Sequence, residues 1–115
     1  HVICLNVLSY IDNFHKPLER LLLSARTSVI IRESMSDFSS SKYVQDNFLD
    51  DGIALNVYIN TYKLQEVLDF IHSYGFDTKV IVDRRTNGKV ESIIGHPHYW
   101  KFIKAYRRKK LLNDD

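Results

Sequence analysis

The stretch Val2-Ile3-Cys4-Leu5-Asn6-Val7-Leu8-Ser9-Tyr10-Ile11 decides how this 115-residue chain is read. Its residues are β-prone, and Val2, Ile3, Cys4, Leu5, Val7 and Leu8 put apolar side chains on both faces of a pleat. Asn6 is the one polar interruption. A strand that is apolar on both faces belongs inside a parallel sheet with cover on each side. The run Val2–Leu8 is therefore expected to be a central strand. It stands at the very start of the sequence, where a domain would not ordinarily begin.

Outward from it, Asp12 to Lys16 reads as a turn, and Pro17 sits near a first helical position. Leu18, Leu21, Leu22 and Ala25 then follow the spacing of an amphipathic helix, with Arg26 suited to its C-terminal dipole. Thr27-Ser28-Val29-Ile30-Ile31 follows almost at once as a second strand. Strand, helix and strand make a βαβ crossover with two parallel strands.

Between Ser34 and Asn60 the rhythm breaks. Met35 to Ser41 is loop-like, Asp50-Asp51-Gly52 is a turn, and Ile53–Ile59 is a short extended piece. Asn60-Thr61 is expected to cap a helix carrying Leu64, Val67, Leu68 and Ile71, which Gly75 ends. Lys79–Asp83 is the third strand. Asn87-Gly88 predicts a hairpin back through Val90–Ile94. From Pro97, the residues Tyr99, Phe102, Ile103 and Tyr106 recur at helical spacing and predict a C-terminal helix. Trp100, Phe102 and Tyr106 share a parity, the pattern of a strand, but the helix fits better.

Composition sets the outer limits. The length allows one domain, residues 1–115, and 44% apolar with 26% charged residues is ordinary for a globular protein. A formal charge of +2 is too small to argue for a nucleic-acid partner by itself, and none is expected. A single cysteine excludes an internal disulfide and a four-cysteine zinc site. No apolar run approaches the ~20 residues of a membrane helix, and no secretory signal is visible, so a cytoplasmic location is expected.

The connections locate the working edge. The helix-to-strand links are short, whereas the segments that follow strands, Ser9–Lys16 and Ser34–Asn60, are long and polar. Ligands in open α/β sheets bind outside the carboxyl ends of the strands. That edge is expected to hold Asn6–Asn13, Glu33–Thr61 and the Arg84–Lys89 turn.

In order, these pieces resemble the C-terminal half of class I S-adenosylmethionine-dependent methyltransferases. The opening run is similar to that family's fourth strand. Pro17-Leu18-Glu19-Arg20-Leu21-Leu22 looks like its following helix, and Val29-Ile30-Ile31-Arg32-Glu33 like its fifth strand. Phe70-Ile71-His72-Ser73-Tyr74-Gly75-Phe76 is similar to the helix end before the final antiparallel pair. The family's glycine-rich loop and ribose-holding acid are absent, since the four glycines stand alone at 52, 75, 88 and 95. The resemblance implies a partial Rossmann-like mixed α/β sheet with S-adenosylmethionine as cofactor. It also implies a small-molecule acceptor, and activity only in a complete protein. It implies that Leu5 and Asn6 pass the cofactor's methyl end and that Ser9 and Tyr10 adjoin the acceptor. Glu33 is the carboxylate best placed to act as base. Tyr58 and Tyr62 would line an acceptor pocket.

Other features read more plainly. His96-Pro97-His98 lacks a third ligand of matching spacing and is expected to start the last helix, at the amino edge. Arg107-Arg108-Lys109-Lys110 reads as a solvated helix end. Cys4 reads as a buried hydrophobe. An apolar strand at Val2–Leu8 needs cover along its edge, from a missing N-terminal half or a second copy. The competing reading is a non-enzymatic α/β interaction module that makes contact through its basic tail.

Overall fold

The computed structural model describes residues 1–46, 55–93 and 95–108. It is a mixed α/β fold with two helices on a sheet of parallel and antiparallel strands. β1 (Val2–Leu5) runs parallel to β2 (Ser28–Ser36), from Val2 opposite Val29 to Leu5 opposite Arg32. α1 (His15–Ser24) crosses between them and buries Leu18 and Leu22. β3 (Ser40–Asp46) and β4 (Leu55–Lys63) form an antiparallel arm, and β4 joins β2 in parallel at Met35 and Ser36, where β1 has ended. α2 (Leu64–Ser73) buries Val67 and Ile71 and stops at Gly75, whose φ of +83° suits a residue without a Cβ.

The last third is arranged differently from the expectation. β5 (Phe76–Val82) ends at the expected turn, with Asn87 and Gly88 at φ of +51° and +75°. The chain after that turn does not return along β5. Instead β6 (Glu91–Ile93) pairs with β7 (His96–His98) in a small separate hairpin. β8 (Trp100–Arg107) is a strand, not the expected helix, and it lies between β2 and β5, antiparallel to both. Residues 99–106 satisfy two periods at once. With β2 and β5 offering backbone partners on both sides, the alternation wins: Ile103 and Ala105 go inward, while Phe102 and Lys104 go to the opposite face.

Three smaller expectations also change. Asn60-Thr61 caps no helix, because β4 runs on to Lys63 before α2 begins. Met35 and Ser36 extend β2 rather than opening a loop. Arg107 ends a strand and donates to the carbonyls of Ala25 (2.7 Å) and Leu22 (3.0 Å), so its charge closes the C-terminus of α1. Arg108 pairs with Asp77 at 2.9 Å, while Lys109 and Lys110 lie outside the described residues.

The core is one-sided. Cys4, Val29, Ile31, Ile103, Ala105 and Phe76 point towards α1 and α2 and form a single cluster with their apolar stripes. The expectation that β1 is covered on both faces fails. β1 ends at Leu5, and Ile3 is 65% and Leu5 48% exposed. Among the described residues β1 pairs with β2 alone.

Candidate functional site

The carboxyl ends of β1 and β2 gather the polar chemistry of the molecule. Asn6, with φ of +59°, ends β1 and turns the chain; its N–H donates to the carbonyl of Arg32 at 2.8 Å. Asn is among the few residues with a side chain that tolerate this region. A single 3₁₀ turn, Leu8–Tyr10, follows.

Glu33 anchors that turn. Its carboxylate accepts the N–H of Val7 and both the N–H and hydroxyl of Ser9, each at 3.0 Å. Burial pushes its pKa up, against the pull of these donors. Glu33 is 1% exposed, so the expected base faces the loop rather than solvent. Ser9, expected beside an acceptor, is fully buried, and its oxygen also accepts the N–H of Ser34 at 3.0 Å. The Ser34 hydroxyl bonds Thr61 Oγ1 at 2.6 Å and accepts the Tyr99 N–H at 2.9 Å. From β4, Tyr62 donates to the carbonyl of Leu8 at 2.6 Å and Asn60 to that of Ile11. N–H groups of the turn thus go to Glu33 and its carbonyls to β4. Burial also raises the Tyr62 phenol to about 12 and the Cys4 thiol to about 11, so both stay protonated.

A second network lies on the outer face of the same edge. Arg32 makes a two-pronged pair with Asp83, Nε to Oδ1 at 3.2 Å and Nη2 to Oδ2 at 3.1 Å. Its Nη1 donates to Asn6 Oδ1 at 2.6 Å. The guanidinium sits 4.4 Å over the Trp100 ring. Arg32 and the Thr86 donors hold the Asp83 carboxyl down at about 2. On Trp100 stacks His98, with ring centroids 4.9 Å apart. His98 Nδ1 lies 3.0 Å from the carbonyl of His96, which makes Nδ1 the protonated nitrogen. Its Nε2 therefore accepts from the Tyr10 hydroxyl at 3.3 Å. Burial lowers the His98 pKa and keeps the ring neutral.

The structure thus brings Leu5, Asn6, Tyr10 and Glu33 to one edge, with Leu5 and Asn6 open and Glu33 closed off. Tyr58 lies out on the arm, its ring 4.6 Å from that of Tyr43, while Tyr62 reaches the loop. His98 corrects an expectation. It lies at the carboxyl edge beside Tyr10, not at the amino edge, because β8 rather than Val90–Ile94 is the returning strand. Arg32, Asp83 and Trp100 carried no signal as site residues, and His98 only that of a two-histidine motif. Only the placement of β8 and the turn after β5 brings them together. Among the described residues no three His, Cys, Asp or Glu side chains converge as a metal site.

No protein-family model and no curated protein matches this sequence.

Proposed function

We propose that the chain is the acceptor-side half of an S-adenosylmethionine-dependent methyltransferase, completed by a half that continues the sheet along the free edge of β1. One observation carries the reading: two parallel strands joined by a helix are followed by a helix and a final antiparallel pair, β5 and β8, with the long connections gathered at the carboxyl edge. That is the order the sequence resemblance implies, with β8 in the place expected for the return strand after Asn87-Gly88.

The residues at this edge suit one end of the cofactor. Leu5 offers a half-exposed apolar wall. Asn6, its Oδ1 fixed by Arg32, keeps its Nδ2 hydrogens free for a ligand among the described residues. The ribose and adenine would be held by the completing half. When bound, the cofactor supplies an electrophilic methyl carbon on a sulfonium. The chain's own residues then have to position an acceptor and exclude water, because effective concentration and a dry site do most of the work in such a displacement. Glu33 does this through the Val7–Ser9 turn that it holds. The Tyr10 hydroxyl is the open polar group that faces an acceptor: it donates to the neutral His98 Nε2, so it can take up the acceptor's proton as its own passes to that nitrogen. A small molecule is the acceptor class that fits this confined polar edge.

The interaction-module reading is less favoured, because Arg107 and Arg108, though exposed, already bond to groups of the same chain. Calorimetry tests the proposal. A complete polypeptide should bind S-adenosylhomocysteine, the 115-residue chain should not, and Asn6→Ala in the complete polypeptide should weaken binding about tenfold, or ~1.4 kcal/mol. A complete polypeptide that fails to bind sinks the reading.

A further inference from the structure

Both helices lie on one face of the sheet, and the register decides what stands on the other. Paired residues on neighbouring strands point to the same side. One row therefore runs Ile3, Ile30, Lys104, Lys79, and the next runs Leu5, Arg32, Phe102, Ile81. Ile3, Leu5 and Ile81 are exposed. Ile30, Ile81 and Phe102 line a shallow groove of about 470 Å³, with Arg84 and Arg85 at its rim.

The charges around this face are unbalanced. Among the described residues the carboxylates around it already have cations: Asp83 holds Arg32, Asp77 holds Arg108 and Glu91 holds Arg85. Lys79, Lys104 and Arg84 make no ion pair among the described residues. An apolar strip with a surplus of positive charge is complementary to an apolar stripe flanked by carboxylates. A second copy of this chain would bring the same surplus against itself. A helix of about ten residues, ~15 Å long, spans four strands, and helices are the elements that cover apolar faces of parallel strands.

We propose that this face docks an amphipathic α-helix with acidic flanks, carried by the half that completes the sheet. The source of the helix rests on the methyltransferase reading, whereas the chemistry of the surface does not.

The test uses the 115-residue chain and a fluorescein-labelled peptide of about 18 residues, long enough to be helical. Leu at helical spacing forms its stripe, flanked by Glu; a twin carries Lys instead. By fluorescence anisotropy in low salt, the Glu peptide should bind at least about tenfold tighter than the Lys twin, and the gap should narrow in high salt. Lys79→Glu with Lys104→Glu, both exposed and checked for fold by circular dichroism, should invert the preference. Methyl resonances of Ile3, Ile30 and Ile81 should shift with the Glu peptide. Equal affinity for the twins, or shifts confined to the α1 and α2 side, overturns the proposal. So does sedimentation showing a dimer that shields those methyls without peptide, which would give the face to a second copy. Loss of cofactor binding in the complete polypeptide bears on the methyltransferase reading alone.

Discussion

Strand β2 shows two different environments on its two faces. Val29 and Ile31 look towards the helices and are wholly buried, while Ile30, one residue away, looks out over an open groove. Both faces are apolar, yet only one is covered. A sequence pattern records what a strand is prepared to bury, not what is present to bury it. The alternation that makes Ile31 a core residue makes Ile30 an unmet demand.

The largest expected effect tests that contrast. Ile31→Ala should cost about 3 kcal/mol in urea unfolding, the cost of a cavity in a packed core. Ile30→Ala should cost well under about 1 kcal/mol in the same chain. Equal costs would mean that the outer face is covered in solution. Next comes the closed edge network. Glu33→Ala strands the buried N–H groups of Val7 and Ser9 and should cost about 3 kcal/mol, with Glu33→Gln recovering part of it. Hydrogen exchange should then speed up at Val7 and Ser9 before any other site.

The open edge should respond to acid. The Asp83 carboxyl titrates at about 2 instead of 3.8, so its pairing with Arg32 stabilises the fold fully above the ordinary value. That contribution, about 2 kcal/mol at most, disappears as pH falls from near 4 towards 2. Asp83→Asn should flatten this part of the stability profile. Glu33 runs the other way: its raised pKa gives a contribution that is present at low pH and lost as pH rises through the folded value. A Glu33→Gln chain that kept the wild-type acid limb while Asp83→Asn lost it would separate the two networks. The smallest effect is expected at Tyr10. Tyr10→Phe should leave stability within about 1 kcal/mol of wild type. It should also move the His98 Nε2 resonance in nitrogen-15 spectra, since that atom loses its donor.

How much of this was legible in the sequence depended on how local the cause was. α1 and α2 followed from Leu18, Leu22, Val67 and Ile71, whose spacing is set within a few residues, and β2 followed from an unbroken apolar run. The segment 99–106 did not, because its two periods can only be decided by strand partners nineteen or more residues away. One difference carries another with it: a return strand at Val90–Ile94 puts His98 at the amino edge, and a helix from Pro97 leaves Trp100 without a role. Glu33 was found at the right edge, but its burial was invisible, since the turn that encloses it is shaped by the positive φ of Asn6 and by Tyr62 from β4. Asp83 looked like the end of a strand. Only the stacking of β8 beside β2 shows it as the counter-ion of Arg32.

β8 stands inside the sheet, between β2 and β5, but comes last of the described strands in the chain. Until it emerges from the ribosome, β5 has no strand to pair with and Arg107 cannot reach the end of α1. Every neighbour it joins on β2 lies more than sixty residues earlier. Contacts of that span close slowly, so the strands made first must wait as unpaired edges during synthesis. A stop codon placed just before Trp100 would therefore remove the keystone rather than trim a tail, and leave β5 a lone strand beside the sheet of β1, β2, β3 and β4.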